Sequence, residues 1–136
     1  MKFLKESMNT LILDERGELA ACYQGENQLD VGQNSDVITG GTKAYGFENG
    51  LRSLRPDVMI TDEIATADDV AMLQRAVRSG VVVMASVHAT DLSEVRSKPE
   101  LGLLVSQGVF ERYVVLQVGE RAGEVVDVFN RGLQRL

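Results

Sequence analysis

The chain has 136 residues, 44% of them apolar and 25% charged, which fits a single soluble globular domain over residues 1–136 with enough length to bury a core. Its 14 basic and 20 acidic residues give a net charge of -6, and that balance argues against nucleic acid as a partner, since such binding relies on Lys and Arg neutralising phosphates. A lone cysteine, Cys22, excludes an internal disulfide and suits a reduced, cytoplasmic compartment. Residues 1–9 are too polar for a signal peptide. The longest apolar run, residues 81–87, falls far short of the ~20 residues of a membrane helix, so no transmembrane segment is expected.

Residues 1–8 read as the tail of a helix, and residues 10–13 as a short buried strand ending at Asp14 and Glu15. Residues 16–43 are polar and carry five glycines. We expect a long loop there, either functional or a surface insertion. Residues 44–54 place Phe47, Leu51 and Leu54 on one helical face, and Pro56 ends that helix. A second strand over residues 57–61 has Val58, Met59 and Ile60 as its body. Thr66 with Asp69 marks a helix start, Asp68 and Asp69 suit its positive end, and Arg75 and Arg78 suit its negative end. Val70, Leu73 and Val77 face inward and Gly80 is the stop. Residues 81–87 form a third buried strand ending at His88. Asp91 then caps a short helix with Leu92 and Val95 inward, and Pro99 begins another with Leu101 and Leu104 inward. Residues 112–118 and 124–129 read as a hairpin.

Apolar strands alternating with helices predict an α/β fold with a mostly parallel sheet. Ligands in such sheets bind at the carboxyl ends of the strands. Those ends carry Asp14, Glu15, Asp62, Glu63 and His88. A hydrophobic strand delivering Asp62 and Glu63 is the arrangement of a Walker B segment: Asp62 would hold Mg²⁺, and Glu63 would polarise an attacking water. The competing reading is an acid pair placed before a helix for dipole reasons alone. Histidine at a strand end can donate to a phosphate, although a lone histidine is more often structural. The Asp14–Glu15 pair is either a second contact to metal or water, or a solvated turn.

Order and spacing make these segments specific. Asp14-Glu15-Arg16 with Gly17-Glu18-Leu19-Ala20 resembles the acidic segment of the stage III sporulation AA proteins. Cys22-Tyr23-Gln24-Gly25, Gln28-Leu29-Asp30-Val31-Gly32, Leu51-Arg52-Ser53-Leu54-Arg55-Pro56-Asp57, Asp62-Glu63-Ile64 and Val109-Phe110-Glu111-Arg112-Tyr113 continue the likeness over residues 10–130. That family is similar in turn to the secretion and pilus-retraction ATPases, which carry a phosphate loop, an acidic box, Walker B and a histidine box in that order. The resemblance implies a RecA-like core. It places Glu15 or Asp14 in the acidic box, Asp62 and Glu63 in Walker B and His88 in the histidine box. Asp62 and Asp14 would be metal ligands, and Arg52 would contact nucleotide across a subunit boundary. The polar loop would lie near the nucleotide or the ring's interior. It further implies ATP and Mg²⁺ as cofactors, hydrolysis of ATP to ADP and phosphate, a homo-oligomeric ring, and membrane components of a sporulation channel as partners.

A phosphate loop requires Gly-x-x-x-x-Gly-Lys followed by Ser or Thr. Gly40-Gly41-Thr42-Lys43 does not qualify, because Ala44 follows the lysine and no first glycine stands at the right spacing. In the resembled family that loop precedes the acidic box, so the chain is expected to begin after it. The strand feeding the loop would lie between the strands at residues 81 and 112, and its loss predicts a rearranged sheet, marginal stability or self-association along that edge. The chain alone is then expected to be inactive. Two alternatives are a non-catalytic subunit-interaction module and a bare metal site on the clustered acids.

Overall fold

The computed structural model describes residues 8–136. The expected helix tail over residues 1–8 therefore lies, except for Met8, outside the described residues. The chain divides into two compact units, Met1–His88 and Ala89–Leu136.

The first unit is built on strand β1 (Thr10–Asp14), whose five residues are all buried. Both edges of β1 are paired in parallel, to β4 (Ser35–Thr39) on one side and β5 (Val58–Thr61) on the other. Strand β6 (Val82–Ala85) adds beyond β5, giving a four-stranded parallel sheet in the order β4-β1-β5-β6. A small ribbon, β2 (Cys22–Tyr23) with β3 (Glu26–Asn27), lies in the segment between β1 and β4. The polar stretch expected to be one long loop thus contains a ribbon and a sheet strand. Its strand was hidden because β4 is an edge strand whose apolar body is only Val37 and Ile38.

The two faces of the sheet are covered differently. Helix α1 (Lys43–Leu54) packs on the face carrying Leu11 and Leu13. Its contact stripe includes two glycines: a Cβ on Gly46 would sit 3.1 Å from both Leu13 and Ile38, and one on Gly50 only 2.5 Å from Leu11 Cδ2. Close approach of helix to sheet is therefore what these glycines provide. Arg55, in the left-handed region at φ 46, turns the chain out of α1 ahead of Pro56. Helix α2 (Ala67–Arg78) begins in a complete capping box of Thr66 and Asp69. It buries Val70, Met72, Leu73 and Ala76, whereas Val77 is 38% exposed, so its inward face is rotated from the expected one. On the opposite face Ile12 packs with Ala20 and Val31, contributed by the segment between β1 and β4.

β6 departs from expectation. A run this apolar suits a strand buried on both sides. Yet β6 forms the end of the sheet, with Val82 55% and Met84 48% exposed.

In the second unit helices α3 (Leu92–Ser97) and α4 (Pro99–Ser106) bury Val95, Leu101 and Leu104 together. Strands β7 (Arg112–Leu116) and β8 (Val125–Asn130) form the expected hairpin, closed through a 3-10 turn at Gly119–Arg121. They make a two-stranded antiparallel sheet of their own rather than continuing the parallel one. The result is an α/β chain with helices against a parallel sheet and a carboxyl-terminal β-hairpin.

Candidate functional site

Because β1, β5 and β6 are parallel, their carboxyl ends share one edge of the sheet. The exits of the three strands are tied to one another. Ile64 N–H donates to the Ser86 carbonyl at 3.0 Å, joining the segments after β5 and β6. Arg16 Nη2 lies 3.9 Å from Glu63 Oε2, joining those after β1 and β5.

The two residues of the first acid pair behave differently. Asp14 is fully buried, and its carboxylate accepts hydrogen bonds from Glu18 N–H at 2.8 Å and Ala20 N–H at 2.9 Å. Both oxygens are thus engaged in folding the following loop back onto the strand. Glu15 is exposed at the strand exit.

The second pair follows the buried end of β5. Asp62 Oδ1 is shielded from solvent and lies 3.0 Å from Lys43 Nζ, with only 13% and 10% of the two side chains exposed. The contact is an ion pair, and no other donor reaches this oxygen among the described residues. Lys43 Nζ also donates to the Glu63 carbonyl. The Glu63 carboxylate is more open, with 35% of its side chain exposed. Just inside the sheet, the Thr61 hydroxyl is buried and has no hydrogen-bond partner among the described residues.

Lys43 enters this site from α1, whose N-cap Thr42 accepts from Tyr45 N–H. The segment Thr39 to Lys43 is thus a strand-turn-helix at the same sheet edge, but its lysine points to carboxylate and carbonyl oxygens. Sequence reasoning passed Lys43 over as part of a failed phosphate-loop match. The signal was its position: a cation in the first turn of a helix opposes the dipole, and α1 has no acid there to offset it.

His88 is exposed, three residues beyond the end of β6. Arg52 is not brought to the acids at the strand ends. It lies in the last turn of α1, about 13.5 Å along the axis from Lys43 at 1.5 Å per residue, and is within 4.0 Å of Glu48. A shallow cleft in the second unit is lined by Thr90, Asp91, Arg96, Val115, Asp127 and Phe129, none of them a candidate from the sequence.

Among the described residues no group of three or more His, Cys, Asp or Glu side chains is arranged to hold a metal. Magnesium, however, takes one or two carboxylates and completes its shell with water and phosphate oxygens. The Asp62 carboxylate, whose buried Oδ1 meets no donor other than the Lys43 ammonium among the described residues, is of the kind that could serve as one such ligand.

A sequence profile of the family described as "Sporulation stage III, protein AA" matches residues 3–136. Stage III sporulation protein AA of Bacillus subtilis (strain 168) is 36% identical over 124 residues, a stretch covering 91% of this chain and 40% of that protein. The chain thus spans well under half the length of that relative.

Proposed function

Because the chain belongs to the stage III sporulation AA family, we propose that it supplies the metal-binding and water-polarising side of the nucleotide site in a RecA-like ATPase. The observation behind this reading is the end of β5, where a buried Asp62 oxygen, met only by the Lys43 ammonium among the described residues, stands beside an accessible Glu63 carboxylate at the carboxyl edge of a parallel sheet. Asp62 would hold the Mg²⁺ of the nucleotide, which when bound neutralises charge on the phosphates. Glu63 orients the attacking water and accepts its proton. Glu15 adds an exposed carboxylate at the exit of β1, and Asp14 holds the loop that presents it. His88 donates to a phosphate oxygen. Arg52, at the exposed end of α1, reaches toward nucleotide held by the neighbouring subunit of a homo-oligomeric ring. In this reading the cellular role is a cytoplasmic ATPase that works with membrane components of a sporulation channel.

The 136 residues contain no phosphate-loop motif, so the backbone cradle and its lysine must come from outside them. We expect the chain alone to bind Mg²⁺-ATP no more tightly than millimolar in calorimetry. Micromolar binding would overturn that expectation and point to another phosphate site. Extending the chain with the part of the Bacillus subtilis relative outside the match should restore hydrolysis. Glu63→Gln in the extended chain should then lower kcat by about 10²–10⁴-fold, the usual contribution of a positioned base.

The open apolar edge at β6 favours a second reading, a non-catalytic module that retains only subunit contacts. An extended chain that assembles but stays inactive would favour it.

A further inference from the structure

The ammonium of Lys43 stands where a cation ligated by Asp62 would stand. It is 3.0 Å from Oδ1 and takes the Glu63 carbonyl as a second oxygen. The position is electrostatically awkward for a lysine. It lies in the first turn of a helix, with nine-tenths of its side chain out of solvent. A buried ammonium keeps its charge most readily where a carboxylate compensates it. Asp69 belongs to the same field: burial pushes its carboxyl up, but hydrogen bonds from the Ala65 and Thr66 N–H groups and the Thr66 hydroxyl, with the Lys43 charge, bring it below its ordinary value. The base of the lysine cannot retreat, because Gly46 and Gly50 seat α1 directly on Leu13 and Leu11. A swing of the flexible Lys43 side chain is then the simplest way to release Asp62.

We propose that Lys43 is a built-in counter-ion that a divalent cation must displace from Asp62, so that it sets the threshold for metal loading. This inference rests on the assignment of Asp62 as the metal ligand in the proposed nucleotide site. Two cations cannot share one carboxylate oxygen in a poorly solvated site without strong repulsion. Once displaced, the ammonium is left at the same sheet edge.

The test is Mn²⁺ binding to this chain, followed by electron paramagnetic resonance, with Mg²⁺ as competitor. Lys43→Met should bind Mn²⁺ about tenfold or more tightly than the unaltered chain, since a charge of like sign is removed from the ligand oxygen. Lys43→Arg should return the affinity toward that of the unaltered chain. Equal or weaker binding by Lys43→Met, with binding still lost in Asp62→Asn, would overturn the role of Lys43 and leave Asp62 as the ligand. Binding unaffected by Asp62→Asn would instead remove Asp62 from the metal site, and both readings would fall. Should Lys43→Met not fold, the unaltered chain carries the test. The ¹³Cε resonance of Lys43 should move on saturation with Mg²⁺, and a resonance that stays fixed overturns the proposal.

Discussion

The Thr66–Asp69 pair shows how much local order one residue can set. The Thr66 hydroxyl accepts from Asp69 N–H, while the Asp69 carboxylate accepts from the N–H groups of Ala65 and Thr66, so the orphan donors at the head of α2 are satisfied within one turn. Replacing Thr66 with Ala should lower stability by about 1 kcal/mol in urea unfolding, and Ser should retain most of it. Glu94 plays the matching part in α3. The Thr90 N–H, then Lys98 and the Thr90 hydroxyl, hold its carboxyl down from 4.5 to about 2. A depressed carboxyl favours the folded state above its unfolded value and loses that contribution as pH falls through its folded value. The Thr90 amide resonance should accordingly titrate with a midpoint near 2. A midpoint at the ordinary glutamate value of 4.5 would show the contact absent in solution.

At the scale of elements, packing distances decide what a sequence pattern cannot. Gly102 lies where α4 crosses the end of α3, and a Cβ there would meet the Arg96 carbonyl oxygen at 2.4 Å. Alanine favours a helix by up to ~1 kcal/mol over glycine, but backbone cannot give way as a side-chain tip can. Gly102→Ala should therefore destabilise the chain by about 1–3 kcal/mol. Gly41→Ala, whose Cβ would meet only Tyr45 at 3.6 Å, should change stability little; paired thermal melts would separate the two. The same logic explains which elements were legible in the sequence. α2 was, because its caps and charges all agree. β4 was not, since Ser35, Asp36 and Thr39 suit an edge and give no periodic signal. The face of α2 was misread at Val77 because Met72 and Ala76 take up the inward positions. β6 was read as buried from its composition, and only the sheet order shows it at an end.

For the molecule as a whole, the acids of the candidate site were legible because parallel strands must bring their carboxyl ends to one edge. Lys43 was not, because its link to Asp62 and Glu63 crosses from the start of α1 to the end of β5, a contact that no local spacing encodes. The division of labour inside Asp14–Glu15 was equally hidden, since adjacent carboxylates look alike until backbone amides are seen to claim one of them. The central place of β1 also bears on the order in which the chain can fold. Thr10 must find both Ser35 and Val58, so neither ladder of β1 can form as a local hairpin. Contacts that close long stretches of chain cost entropy before they return any stability, and they slow folding. β7 and β8, joined by a short loop, carry no such delay. During synthesis β1 emerges ahead of both its partners and stays unpaired until β4 and β5 have followed it. For that interval five residues destined for full burial are exposed, and a nascent chain stalled between Asp14 and Val58 should be the species most in need of a chaperone.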